Sequence, residues 1–146
     1  MTRYPETDLV HKPILDLVRM HEGRYPDLIK GLIHVPNEGK RTKAQHGFLV
    51  GLGMRAGVSD LLLLRARRGY HGLAMELKAP GKLGTATKEQ KAFLHQLQVE
   101  GWLACLCDDP VSAWSLLVWY INGAPGDWHE RGGHVRPALF EDRRTQ

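Results

Sequence analysis

Two carboxylates and one ammonium group, Asp60, Glu76 and Lys78, are spaced so that ordinary strand pairing would gather them on one surface. Asp60 precedes four consecutive leucines, 61–64, a run too short for a helix and of the kind found in strands buried on both faces. Residues 73–79 alternate, with Leu73, Met75, Leu77 and Ala79 on one side and Ala74, Glu76 and Lys78 on the other. Between them, the glycines and charges of 65–72 read as a hairpin connection. Centred near Arg68, antiparallel pairing would set Asp60 directly across from Glu76, with Cβ atoms roughly 4.5–5.5 Å apart. A slip of one residue would send the two carboxylates to opposite faces. Carboxylates this close repel each other, and a hard cation such as Mg²⁺ or Mn²⁺ is the natural counter-charge. Lys78, two residues further along the same face, is placed to orient a water or to stabilise charge developing on a phosphate.

The rest of the chain must supply the elements that hold this trio. Apolar Leu9, Val10, Ile14, Leu15, Leu17 and Val18 recur at helical spacing between Pro5 and about His21, and Pro13 either kinks that helix or delays its start until after His11. Residues 23–30 read as a loop, 32–35 as a short strand, and 42–52 as a helix stopped by glycines. Gly53 and Gly57 suit a backbone that turns sharply into the Asp60 segment, and no G-x-x-x-x-G-K-[ST] phosphate loop is present. Thr87-Lys88-Glu89-Gln90 has the form of a helix capping box, a local role for Gln90 that is compatible with a role in the site. A strand at 102–107 and a helix at 111–121 follow, and 123–146 reads as a C-terminal tail, either flexible or packed on a second subunit. This order of elements predicts an α/β domain with a mixed sheet flanked by helices.

The same residues carry a family resemblance. Asp60, then Glu76-Leu77-Lys78, then Gln90 resembles the D…E-x-K…Q pattern of the PD-(D/E)XK nuclease superfamily. More narrowly, the run from His34 through Pro36, Asn37 and Gly39 to Lys40 and Arg41, followed by Gly53-Met54-Arg55-Ala56-Gly57-Val58-Ser59-Asp60, is similar to the VRR-NUC domain of phage, bacterial and eukaryotic repair nucleases. The likeness spans residues 6–121. It implies a restriction-endonuclease-like core, with a nuclease domain over residues 1–122, and a DNA endonuclease dependent on Mg²⁺ or Mn²⁺. In such an enzyme Asp60, Glu76 and the Leu77 carbonyl would bind the metal, Glu6 would complete its shell, Lys78 would position or activate the attacking water, and Gln90 would assist. Asn37, Lys40, Arg41, Lys43 and Lys82 become candidate phosphate contacts. The compact stand-alone members imply a homodimer, branched DNA such as four-way junctions as substrate, and a bacterial host cell or phage-encoded intracellular setting. The alternatives are a nucleic-acid-binding module that keeps the fold without turnover, and an interaction domain whose Glu76 and Lys78 merely decorate a solvated strand.

Composition is compatible with these expectations. A chain of 146 residues fits one domain with a real core, and 42% hydrophobic with 25% charged residues is the balance of an ordinary globular protein. The net charge of +4 and a pI near 9.2 lean toward a polyanionic partner. Cys105 and Cys107, one residue apart on a predicted strand and without C-x-x-C spacing, read as small core residues in a reducing cytoplasm. No apolar run approaches the ~20 residues of a membrane span, and the first ten residues lack a signal-peptide core, so no membrane partner is expected.

Overall fold

The computed structural model describes residues 7–36, 41–123 and 133–137; Glu6, Asn37 and Lys40 lie outside them. Among the described residues the chain forms a five-stranded sheet in the order β1 to β5. The strands are β1 (Leu32–His34), β2 (Leu61–Leu63), β3 (Leu73–Leu77), β4 (Leu103–Cys107) and β5 (Val135–Pro137). Neighbours are antiparallel except β3 and β4, which run parallel. A parallel pair needs a crossover, supplied here by helix α4 (Lys88–Val99). The other helices are α1 (Lys12–Met20), α2 (Pro26–Gly31), α3 (Lys43–Gly51) and α5 (Pro110–Asn122). The expected α/β architecture with a mixed sheet is the one observed.

The hairpin between β2 and β3 fixes the register on which the site depends. Leu61, Leu62 and Leu63 pair with Met75, Ala74 and Leu73, and the same register extended by one residue sets Asp60 opposite Glu76. The turn is a two-residue one: Arg67 and Tyr70 exchange backbone hydrogen bonds of 3.1 and 2.8 Å, and Arg68 and Gly69 between them both have positive φ, 53° and 81°. That is the twist that suits a tight hairpin. The strained Arg68 is held in place, its guanidinium 3.9 Å from the Trp119 ring centroid and donating from Nε to the Trp119 carbonyl at 3.0 Å. Between the Leu63–Leu73 pair and the Arg67–Tyr70 bridge, residues 64–66 stand opposite residues 71–72, so the outgoing arm carries one extra residue, a bulge.

Alternation along the strands gives the sheet two differently covered faces. Leu61, Leu63, Leu73, Met75, Leu77, Cys105 and Cys107 face α1 and α5, where Ile14, Val18, Leu116, Leu117 and Tyr120 close the larger core. Ala74, Ala104 and Leu106 face α4 and meet Leu94, Leu83 and Ala86. Glu76 and Lys78 continue this second face beyond its apolar part. Both cysteines are free and buried, as the sequence predicts, and burial pushes the Cys107 thiol up to about 12. Tyr120 is fully buried and donates its hydroxyl to the Arg65 carbonyl at 2.6 Å, tying α5 to the bulged arm. Tyr120→Phe should cost about 1 kcal/mol, a fall of a few degrees in melting temperature readable by calorimetry.

The fold departs from the sequence expectations in two places. Residues within 23–30, expected as loop, include the start of α2, because Pro26 occupies the first helical position and Asp27 its first turn. Val135–Pro137, in the segment expected as a tail, forms the edge strand β5 against β4. Three residues ending in proline carry no local strand signal, and edge strands tolerate proline. Thr7–His11 is a π-turn, a form the apolar spacing does not distinguish from regular helix, while α1 itself starts at Lys12, directly after His11, as one of the two readings of Pro13 has it.

Candidate active site

The segment entering the site is shaped by Gly53 and Gly57, with φ of 97° and 82°, the sharp turn into Asp60 that the sequence predicts. A Cβ at Gly57 would come within 2.5 Å of the Glu89 carbonyl group and 2.9 Å of the Gln90 nitrogen. Only a glycine lets this loop lie directly on the first turn of α4. That turn is closed by the predicted capping box: Gln90 N–H donates to Thr87 Oγ1 at 3.2 Å, and Thr87 N–H donates to Gln90 Oε1 at 2.8 Å. The Asp60 loop, the end of β3 and the start of α4 are therefore clamped together through backbone.

Their side chains converge. Lys78 Nζ donates to Gln90 Oε1 at 2.9 Å and lies 3.5 Å from Glu76 Oε1, while Gln90 Nε2 donates to that same Glu76 oxygen at 2.5 Å. Asp60 Oδ2 accepts the Leu77 N–H at 2.7 Å. Asp60, Glu76 and Lys78 are all buried, and Glu76 Oε2 has no hydrogen-bond partner among the described residues. Burial first and the neighbouring Asp60 carboxylate second, partly opposed by Lys78, together push the Glu76 carboxyl up to about 9. This upward shift, caused by burial beside a second carboxylate, marks the place as short of positive charge.

A hard divalent cation fits this donor set. Two carboxylates, one with an unsatisfied oxygen, and the main chain of Leu77, whose side chain packs in the larger core, all border the same cleft. Among the described residues no group of three or more His, Cys, Asp or Glu side chains is gathered around a point a metal could occupy. These donors would therefore fill part of a coordination shell, with water supplying the remainder.

The cleft measures about 930 Å³, with the acids on its floor and a basic wall of Arg41, Lys43, His46 and Arg55 from α3 and the loops around it. Arg41 also has a structural task, donating to the Pro36 carbonyl at 2.8 Å and reaching Met54 Sδ at 3.6 Å. Lys82 is exposed before the 3₁₀ turn Leu83–Thr85 and does not border the cleft. Asn37, Lys40 and Glu6 lie outside the described residues. Sequence reasoning gave Arg55 no role, although it stands inside the Gly53–Asp60 run that carries the family resemblance. It also passed over His11, which is 2% exposed and sits with Nδ1 3.1 Å from His34 Nε2 and Nε2 3.8 Å from Asp60 Oδ2. The sequence signal that existed was weak: a histidine inside an apolar helical stretch.

Comparison with known proteins gives a likeness to a solved structure. A solved structure described as a "VRR_NUC domain protein" superposes with a TM-score of 0.63 at 24% sequence identity, covering 88% of this chain and 97% of that one. The two share their α/β fold, restriction-endonuclease-like with a mixed sheet flanked by helices, over nearly their whole lengths. No family model matches the sequence, and no curated protein matches it. Among the described residues no helix is long and apolar enough to cross a membrane.

Proposed function

We propose that this chain is a divalent-metal-dependent endodeoxyribonuclease that hydrolyses phosphodiester bonds with Mg²⁺ or Mn²⁺. The observation that carries the proposal is the buried Asp60 and Glu76 pair, one carboxyl oxygen of which lacks a partner among the described residues, beside the Lys78 ammonium. Asp60, Glu76 and the Leu77 carbonyl would hold the cation, with Glu6 completing its shell. When bound, it would polarise the scissile phosphate and lower the pKa of a water. Lys78 presents its ammonium on the cleft floor, where it would position the attacking water and stabilise charge gathering on the phosphate. Gln90 grips Lys78 with its amide oxygen and Glu76 with its amide nitrogen, so the spacing of the two is set before substrate arrives. Arg41, Lys43 and Arg55 along the wall are suited to the flanking phosphates of DNA, and Asn37 and Lys40 would be further contacts, whereas Lys82, off the cleft, would meet only DNA that runs beyond it. The likeness in fold to a VRR_NUC domain protein supports the nuclease class. Action on branched DNA as an intracellular homodimer of phage or bacterial type belongs to the same proposal.

The test is nicking of supercoiled plasmid and of a four-way junction, with and without Mg²⁺ or Mn²⁺, by the wild type beside Glu76→Ala and Lys78→Ala. The wild type should cleave only with metal, and each variant should lose about 10²–10³-fold or more. Equal cleavage by all three would refute the assignment. A second reading, a DNA-binding module without turnover, has one observation in its favour, the lack of a third acidic ligand among the described residues. It predicts salt-dependent DNA binding with no cleavage under any condition.

A further inference from the structure

His11 is one of the few buried polar side chains outside the proposed catalytic set, and its position is unusual. The π-turn Thr7–His11 puts Val10 into the larger core and brings His11 against Asp60. Behind it lies His34, the last residue of β1, whose Nε2 is 3.1 Å from His11 Nδ1; the two rings meet edge to face at a centroid separation of 5.3 Å. The result is a row running from the edge of the sheet to the carboxylate: His34, His11, Asp60. His11 approaches Asp60 at Oδ2, the oxygen that also accepts the Leu77 N–H, and His11 does not border the cleft.

Resting on the metal-dependent reading above, we propose that His11 is a positioning residue for Asp60, itself kept in orientation by His34. A backbone N–H hydrogen-bonded to Oδ2 at 2.7 Å, and an imidazole edge packed 3.8 Å from the same oxygen, beyond hydrogen-bond distance, border that carboxylate from behind and leave its cleft side to the cation. An imidazole ring has two distinct nitrogens, and engaging Nδ1 with His34 settles which way the ring of His11 is turned. Groups of this kind, one step removed from a metal, typically change metal affinity or activity by 10–100-fold when removed. The π-turn has a function on this view: one turn of regular helix would place a different residue behind Asp60, and π-turns are frequent at functional sites.

The test measures Mn²⁺ affinity directly, from the EPR signal of free Mn²⁺ in titrations of the full chain, for the wild type, His11→Leu, His11→Gln, His34→Ala and Asp60→Asn. Melting temperatures are taken in EDTA alongside. His11→Leu should weaken Mn²⁺ binding about 10-fold or more. His11→Gln, whose side-chain amide nitrogen can stand in for Nε2, should recover most of that loss, and His34→Ala should give a smaller weakening. His34 is only partly buried on a short edge strand, so this variant keeps the experiment decisive if His11→Leu fails to fold. Mn²⁺ affinity unchanged in both His11→Leu and His34→Ala overturns the proposal while leaving the metal site standing, provided Asp60→Asn loses binding. No Mn²⁺ binding by the wild type overturns both. Nitrogen modulation in the pulsed EPR spectrum of the wild-type Mn²⁺ complex that vanishes in His11→Gln would show His11 to be a direct ligand and overturn the positioning role.

Discussion

Glu76→Gln is expected to make the metal-free protein more stable and at the same time to abolish hydrolysis. The physical cause is the penalty of an ionised carboxylate in a buried place beside another carboxylate, which lifts the Glu76 carboxyl from its ordinary value to about 9. In the unfolded chain the same group titrates near the ordinary glutamate value. Between these two values the folded state binds the extra proton, so the stability of the wild type falls as pH rises through that window. The contribution is intact at acid pH, below the unfolded value, and largely lost by about pH 9. Glutamine carries no such penalty. It keeps an oxygen for Gln90 Nε2, and its amide nitrogen replaces the unpartnered Oε2 and can donate toward Asp60. In EDTA at pH 8 the variant should be more stable by on the order of 1–3 kcal/mol, roughly 3–10 °C in melting temperature. The gap should narrow toward pH 5. Added Mn²⁺ should stabilise the wild type and leave the variant unmoved. Calorimetry across pH with and without the metal checks each part, and a variant less stable than the wild type in EDTA at pH 8 would contradict a charge penalty at Glu76.

The second large effect falls on a residue with no functional group. Gly57→Ala meets two obstacles: a φ of 82°, which side chains rarely adopt, and a Cβ driven to 2.5 Å from the Glu89 backbone. Backbone cannot swing aside as the end of a long side chain can. Strain and overpacking together should cost about 3 kcal/mol, a fall of roughly 6–12 °C. Gly53→Ala is the control, because its φ of 97° is equally unsuited to alanine while nothing lies within 4 Å of the added methyl. It should lose only about 1 kcal/mol. Cleavage should suffer in Gly57→Ala beyond what stability explains, since the displaced first turn of α4 carries the Gln90 grip on Lys78 and Glu76. Similar thermal losses in both variants would show that the close approach at Gly57 does not matter.

The parts of this molecule that were legible in its sequence are those governed by local pattern. Alternation in 73–78 puts Glu76 and Lys78 on one face of β3, and the helical periodicity and capping chemistry of 87–99 locate α4 and the orientation of Gln90. The hairpin register expected from a turn centred near Arg68 is the one observed, but it is reached because the turn sits at Arg68 and Gly69 and the extra residue at 64–66 restores the count. What escaped depends on contacts between distant segments. β5 exists because Cys105, Leu106 and Cys107 offer it a pairing edge, and His134 and Asp108 join the same two segments at 2.9 Å. Arg55 faces the cleft because of where α3 ends. His11 meets Asp60 because the chain winds through a π-turn, a departure of one residue that periodicity arguments average away.

The bulge in residues 64–66 acts as a parity bit. Were the ladder to zip outward from the turn at Arg68 and Gly69 without it, Asp60 would align with Leu77, and Glu76 would be left on the far side of the sheet from it. Such a slipped hairpin would keep its strands and its turn. Apolar burial discriminates little between the two pairings, because 61–64 are all leucine and either half of them can fill the core. The even or odd count is therefore decided beside the turn, and the meeting of the two acids rests on a surplus residue that touches neither.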